Sequence, residues 1–290
     1  MKALKFSKSL LIATIALVSC NKEDDTISTT PTIPIEQKNA QVVTDALTKM
    51  YDQLDTSLID TYYHPLLKNH SVDATIDFTD FTNSIVEMAA QNITIVREIF
   101  KVIAQDDLVL VQSKVTIGNN NAMAVCNLFR ILDNKIVEQW NIKQEEPNPV
   151  ISLANGNTMF DGGGDATKIM SSMELERNKQ TIRDFIHKGF VQGDSVVLNS
   201  LFGMDYIQHN PQIPNGKEVI LGFIENGGFP AKIERIGAQG DLVFILADYS
   251  DSFGSYIVDI FRLDDNGKVV EHWDVIEATS TSTDFFAKGK

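Results

Sequence analysis

The chain repeats itself, and this repeat restricts the possible folds more than any other feature. Residues 135–142 read KIVEQWNI and residues 268–275 read KVVEHWDV, with four of the eight positions identical. Each follows an apolar stretch carrying Phe-Arg: AVCNLFRIL at 124–132 and YIVDIFRLD at 256–264. Further back, NHS at 69–71 answers QHNP at 208–211. A chain of 290 residues is long enough for two such units, each with its own core. At three aligned positions the second copy is ionisable where the first is a neutral amide: Asp259 against Asn127, His272 against Gln139, Asp274 against Asn141. A buried carboxylate or imidazole costs stability, whereas an amide keeps shape and hydrogen bonding without charge. Chemistry is therefore expected in the second half.

Both halves have the same coarse order. In the second, Ile182, Phe185, Ile186 and Phe190 recur at helical spacing, and Gly193 is a natural stop. A short helix over SVVLNSLF follows, then a loop, DYIQHNPQIPNG, then a helix from about 217 to 225. Four β-rich runs close the half: AKIERIGA, LVFILADYS, YIVDIFRL and KVVEHWDVIE. The first half predicts helices over about 40–54, 58–67 and 81–90, then strands from Ile93, Leu108, Ala124 and Lys135. Helices followed by a meander of strands predict an α+β fold: two tandem units, each with about three helices packed on a curved antiparallel sheet. The boundaries read as 38–148 and 173–290, with a flexible connector at 149–172. Its glycines at 162–164 lack the Gly-Lys-Ser/Thr of a phosphate loop.

The net charge is −14, shared evenly: 9 Lys/Arg against 16 Asp/Glu in 36–148, and 11 against 18 in 173–290. Phosphate binding needs clustered cations, so nucleic acid is excluded as a partner. The N-terminus is more specific. Lys2, Lys5 and Lys8 precede an apolar run at 10–18, then Ser19 and Cys20. This is the layout of a secretory signal, too short to span a bilayer stably. LVSC at 17–20 closely resembles the bacterial lipobox, which implies a signal peptide over 1–19 and a lipidated Cys20. A polar Thr/Pro-rich tether then fills 20–37. Its opening NKEDD resembles a surface-export signal of some Gram-negative lipoproteins, so the expected address is the cell envelope, at the outer membrane. Cys126, on an apolar strand, reads as a small buried hydrophobe.

DYIQHNP, IVDIFRL and GKVVEHWDVIE together resemble the SnoaL-like polyketide cyclase family, within the nuclear-transport-factor-2-like superfamily. The resemblance covers 174–279 well and 38–146 more loosely. It implies cone-shaped α+β domains with a pocket between sheet and helices. It also implies acid/base chemistry on carbonyl compounds, with a pocket His and Asp.

Along KVVEHWDVIE, His272 and Asp274 share one face with Val270 and Ile276, while Glu271, Trp273 and Val275 share the other. Where Asp259 falls depends on the hairpin loop. A two-residue Asn266-Gly267 turn sets it opposite Asp274, and a four-residue loop sets it opposite His272. A three-residue loop sets it opposite Trp273 and breaks the constellation. Asp259, His272, Asp274 and the loop residue His209 are the catalytic candidates. Tyr206, Asn210 and Phe261 are candidates for the pocket lining, with Tyr206 as a donor to a developing oxyanion. Two facing carboxylates beside an imidazole cannot all stay charged independently, which supplies an acid and a base near neutral pH. The ligand spacing carries no metal signature, and neither a metal nor a cofactor is expected.

Two readings follow. One is a lipid-anchored, cofactor-free acid/base catalyst on a small carbonyl compound, cyclase- or isomerase-like. The other is a non-catalytic envelope module that captures a small apolar ligand or a protein partner. Contact through the sheets, between the two halves or in a homodimer, is a further expectation.

Overall fold

The computed structural model describes residues 33–147, 153–279 and 285–286. The expected signal peptide, Cys20 and most of the tether lie outside these residues. Helix α1 (Ile35–Asp45) continues into a wider turn (Ala46–Tyr51), and Val43, Ala46, Leu47 and Met50 are buried along one face. After a tight turn at Thr56–Leu58, capped by the Asp55 carboxylate, come α2 (Ile59–Tyr62), β1 (Tyr63–His70) and β2 (Thr75–Asp77). The Asp77 carboxylate then caps α3 (Phe78–Ala90) by accepting the Thr79 and Asp80 N–H groups. Strands β3 (Ile95–Gln105), β4 (Leu108–Ile117), β5 (Met123–Leu132) and β6 (Lys135–Glu145) complete the half.

The second half repeats this order. A Ser171/Glu174 capping box starts α4 (Ser172–Asp184), which runs into a wide turn (Phe185–Val191). Then come α5 (Ser195–Leu201), β7 (Phe202–Gln208), α6 (Lys217–Gly222), β8 (Lys232–Gln239), β9 (Leu242–Asp248), α7 (Ser250–Phe253), β10 (Ser255–Leu263) and β11 (Val269–Ala278). The strand orders are β2-β1-β6-β5-β4-β3 and β7-β11-β10-β9-β8, so the fold is α+β with two sheets.

Each sheet is mixed rather than wholly antiparallel, because β1 pairs parallel to β6 and β7 parallel to β11. Both added strands fall where the sequence predicted otherwise. The helix expected over 58–67 stops at Tyr62. Pro65 removes a backbone donor and pushes its predecessor toward extended backbone, so the chain leaves as a strand. DYIQ was expected to be loop, yet it belongs to β7, where Tyr206 and Gln208 alternate inward.

The β10–β11 hairpin holds a three-residue loop, 265–267. The Asp264 N–H donates to Lys268 O (2.9 Å), and Gly267 takes φ +72°, the left-handed residue that closes such a loop. Counting from this loop would oppose Asp259 to Trp273. Leu263 does pair with Val269, but Arg262 pairs with Glu271, leaving Val270 as an extra residue. This bulge shifts the register by one and sets Asp259 opposite Asp274. It also sends Val269, rather than Val270, into the helix-side core with Phe261. In the first half a two-residue turn at 133–134, both φ positive, and a bulge at Val137 set Asn127 opposite Asn141.

The described residues from Ile33 onward form one compact unit in which the sheets pack against each other. Leu110, Leu128 and Trp140 of one sheet share a core with Phe244, Ile260 and Trp273 of the other. The contacts come in reciprocal pairs. Ala104 N–H donates to Gln239 Oε1 and Ala238 N–H to Gln105 Oε1, both at 2.7 Å. Lys143 N–H donates to Glu277 Oε2 (2.8 Å) and Ile276 N–H to Gln144 Oε1 (2.9 Å). Lys101 lies 4.0 Å over the Trp273 ring, and Arg235 lies 4.7 Å over Trp140. The halves therefore meet as a pseudo-symmetric pair.

The described part of the connector is packed, contrary to the flexible linker expected. Trp273 Nε1–H donates to Asp161 O (2.7 Å), Met159 and Phe160 are buried, and the Gly163 N–H reaches the Glu271 carboxylate (3.2 Å). A Cβ on Gly162 would lie 2.1 Å from Glu271 Oε1, so the close approach requires glycine.

Candidate active site

The restored register puts Ile257, Asp259 and Phe261 of β10 on the same face as His272, Asp274 and Ile276 of β11, toward the helices. His272 Nε2 lies 2.9 Å from Asp259 Oδ1, and the imidazole stacks on Phe261 with centroids 4.7 Å apart. All three ionisable groups are buried. They line a cavity of about 510 Å³ whose walls include Phe185, Tyr206, Phe229, Tyr249 and Phe261. A mostly apolar cleft of this size with a few convergent polar groups is the usual form of a small-molecule site.

Gln208 fixes the polarity of this network. Its Oε1 accepts the backbone N–H groups of His209 (2.8 Å) and Asn210 (2.9 Å), so its orientation is set. Its Nε2 therefore donates, to Tyr206 Oη (3.2 Å) and to His272 Nδ1 (3.0 Å). A neutral His272 then accepts at Nδ1 and carries its proton on Nε2, donating it to Asp259. A protonated His272 can instead turn its Nδ1–H to Gln208 Oε1, 3.2 Å away. Gln208 thus serves both charge states of the ring.

Burial opposes a charge on His272, but its hydrogen bond to Asp259 and the nearby Asp259 and Asp274 charges outweigh it, so its pKa lies above the ordinary value. For Asp274 the balance instead disfavours the charged form. Burial, reinforced by the Asp259 charge, pushes it up to about 6, against the opposing pull of His272 and of Asn210. Asn210 Nδ2 donates to both Asp274 oxygens, at 3.0 and 2.9 Å. Among the described residues the buried Asp259 Oδ2 has no hydrogen-bond partner. Burial and the two carboxylates hold the Tyr206 hydroxyl well above its ordinary pKa, so it remains a donor.

Asp259, His272 and Asp274 each offer a ligand atom within 4.8 Å of the others. Two carboxylates and an imidazole are a donor set that a divalent transition ion accepts. Here the imidazole faces Asp259 and Gln208, and Asp274 is held by Asn210, so an ion would have to displace these bonds.

Tyr206, Asn210 and Phe261 line the cavity together with Asp259, His272 and Asp274. His209 does not join them. It lies toward the other face, stacked on Trp273 (4.7 Å), with Nε2 2.8 Å from Glu271 Oε1 and Nδ1 donating to Thr158 O (2.9 Å). The strand end at Gln208 turns consecutive side chains to opposite sides, which carries His209 away from the pocket mouth. Burial opposes the Glu271 charge, but His209 and Arg262 (2.6 Å) hold its pKa below the ordinary range. The first half keeps the same arrangement: His70 stacks on Trp140, Glu138 lies 3.1 Å from His70, and Arg130 bonds Glu138 at 3.0 Å. A unit present in both copies is framework. Cys126 is free and buried, as its strand setting implied.

Gln208 was missed as a site residue. Its alternation with Tyr206 was the available signal, hidden because the segment reads as loop.

No protein-family model matches the sequence, and no curated protein matches it. Among solved structures, the chain is similar to an LEH-like epoxide hydrolase of M. tuberculosis (16% identity, TM-score 0.36, covering 38% of this chain and 86% of that one). It is also similar to a "putative polyketide cyclase" from Acidithiobacillus ferrooxidans (14%, 0.32, 39% and 92%) and to an NTF2-like protein of unknown function from Mesorhizobium loti (12%, 0.34, 39% and 96%). Likeness at this level carries no activity to this chain, and the fold rests on the strand order and register above.

Proposed function

We propose that the second half is an acid/base catalyst acting, without a cofactor, on a small, mostly apolar carbonyl compound. The observation that carries this reading is the pairing of Asp274, buried and titrating at about 6, with the hydrogen-bonded Asp259–His272 dyad in one aromatic cavity. A general base works best when its pKa lies near the operating pH. Ionised Asp274 takes a proton from the carbon beside the carbonyl. The Tyr206 hydroxyl, aligned by Gln208, donates to the enolate oxygen as charge develops. His272, charged or neutral beside Asp259, returns or removes a proton at the leaving or ring-closing oxygen. Aldol-type closure uses all of these steps; isomerisation uses the first two, with Asp274 returning the proton it took to a different carbon of the enolate.

The test is exchange of α-protons of small cyclic ketones and diketones into deuterated buffer, followed by NMR. Exchange should accelerate with the intact protein, rise through about pH 6, and be lost in Asp274→Asn. Acceleration equal in Asp274→Asn and the intact protein would refute the reading. Retained binding of a ketone with no exchange would favour a capture module, which the heavily aromatic cavity wall also suits.

The location remains a proposal from the sequence: export through LVSC at 17–20 and anchoring by acyl chains on Cys20. Mass analysis of the mature N-terminus tests it, and an unprocessed chain beginning at Met1 would overturn it.

A further inference from the structure

The first half has its own cavity, about 240 Å³, at the matching place on its sheet. Its walls include Tyr63, Phe81 and the amides Asn69, Asn127, Gln139 and Asn141. Three of these amides stand where the second half has Asp259, His272 and Asp274.

The direction of every amide in this cluster follows from one backbone carbonyl. His70 O can only accept, and it takes Asn141 Nδ2 at 3.0 Å. The same nitrogen reaches Asn69 Oδ1 (2.6 Å), which fixes Asn69. Asn69 Oδ1 also accepts Gln139 Nε2 (2.9 Å), and Asn141 Oδ1 accepts Asn127 Nδ2 (2.7 Å). Turning Gln139 or Asn127 over would set oxygen against oxygen. Two acceptors are therefore left over, Asn127 Oδ1 and Gln139 Oε1, and among the described residues neither has a hydrogen-bond partner. Both residues are more than nine-tenths buried, at 7% and 6% exposure. Asn127 pairs with Asn141 and Phe129 with Gln139, so the two amides are diagonal neighbours on one face, with backbones about 7–8 Å apart. Buried acceptors without donors are rare and call for an explanation.

Charge in the wall is already matched. Arg97 Nε bonds both Asp52 oxygens (3.0 and 3.1 Å) and its Nη1 donates to Ser113. Lys143, at the rim, faces Glu277. An ionic ligand would find no free counter-charge, whereas a donor-bearing neutral one would find two acceptors between aromatic walls. The volume lies below the roughly 300–1,000 Å³ of drug-sized sites, which limits the occupant to a fragment-sized molecule.

We propose that the first cavity is a second binding site, distinct from the acid/base centre, for a small uncharged molecule presenting two hydrogen-bond donors on an apolar frame, such as an aromatic vicinal diol. The site neither titrates nor performs proton transfer, since amides supply no exchangeable charge near neutral pH. It does not depend on the second half being an enzyme.

The probes are catechol and its donor-free counterpart, 1,2-dimethoxybenzene, titrated into the mature protein by ligand-observed NMR and calorimetry. Catechol should bind saturably, and the dimethoxy compound at least tenfold more weakly. Gln139→Met should weaken catechol binding at least tenfold, whereas Asp274→Asn should leave it unchanged. Intermolecular NOEs from catechol to the Tyr63 and Phe81 rings locate it without any variant. Equal binding of both compounds would overturn the proposal, as would loss of catechol binding in Asp274→Asn alone. Absence of saturable catechol binding would mean that water serves the two acceptors, and the proposal would fall.

Discussion

Asp259 and Asp274 face each other across β10 and β11, and the extra residue Val270 is what brings them together. Without the bulge, the three-residue loop would turn Trp273 toward Asp259. With it, two carboxylates share a buried face with one imidazole, and the Asp259 charge contributes to lifting the Asp274 pKa. The relationship ties backbone irregularity directly to the protonation of a buried carboxylate.

Asp274→Asn should abolish activity and raise stability. The folded pKa, about 6, lies above the ordinary aspartate value of 3.8. The folded state therefore binds more protons between these values, and the intact protein loses stability as pH rises through this window. Above about pH 6 the full penalty is present, on the order of 3 kcal/mol at one pKa unit per 1.36 kcal/mol. Asparagine removes it and can still accept from Asn210. Urea unfolding at pH 7.5 should show a gain of roughly 1–3 kcal/mol, and at pH 4 the gain should largely vanish. Equal stability differences at both pH values would contradict the assignment.

The matching change in the first half, Asn141→Asp, should leave activity intact while destabilising the chain. Asn141 Nδ2 donates to Asn69 Oδ1 and His70 O, and a carboxylate would set its own acceptors against both. A loss of about 1–3 kcal/mol is expected at pH 7. It should shrink on acidification, since a protonated carboxyl can donate. Chemical denaturation and the exchange assay check the two halves of this prediction.

The α+β class and the doubled order of elements were legible because the repeat and its apolar periodicity are dense: Ile182, Phe185 and Ile186 are buried as their spacing implies. The site was legible only in part. Parity placed His272 and Asp274 on one face, but Val270 gives no sign in the sequence that it will bulge. The two-residue Asn266-Gly267 turn named the right partner for Asp259 by another route, since the loop has three residues and the bulge restores the register. The parallel strand β7 was hidden by Gly203 and the prolines at 211 and 214, which read as loop chemistry. His209 was drawn into the site by its neighbours in sequence, although the first copy retains the same His, Glu and Arg in a half where Asn127, Gln139 and Asn141 replace the three ionisable groups. The packed connector escaped because Gly-rich composition reads as flexibility, whereas here glycine permits close contact with Glu271.

His209→Ala should lower stability and spare catalysis. The imidazole bonds Glu271 and Thr158 O and stacks on Trp273, away from the cavity. Removing it leaves Glu271 with Arg262 and the Gly163 N–H, at a cost of about 1–3 kcal/mol. Thermal unfolding should report the loss, while kcat measured well below the new Tm should stay within about twofold, as for a change outside the transition-state contacts. A fall of several hundredfold in kcat with unchanged Tm would return His209 to the catalytic machinery.

The most direct test of the account is the titration of Asp274 itself, followed through its side-chain carboxyl carbon by NMR in selectively labelled protein. The predicted midpoint is about 6, and it should shift in Asp259→Asn, which removes both the Asp259 charge and its support of the His272 charge. A midpoint near 3.8, unmoved by Asp259→Asn, would mean that the two carboxylates do not share a buried site, and the proposed acid/base centre would not exist.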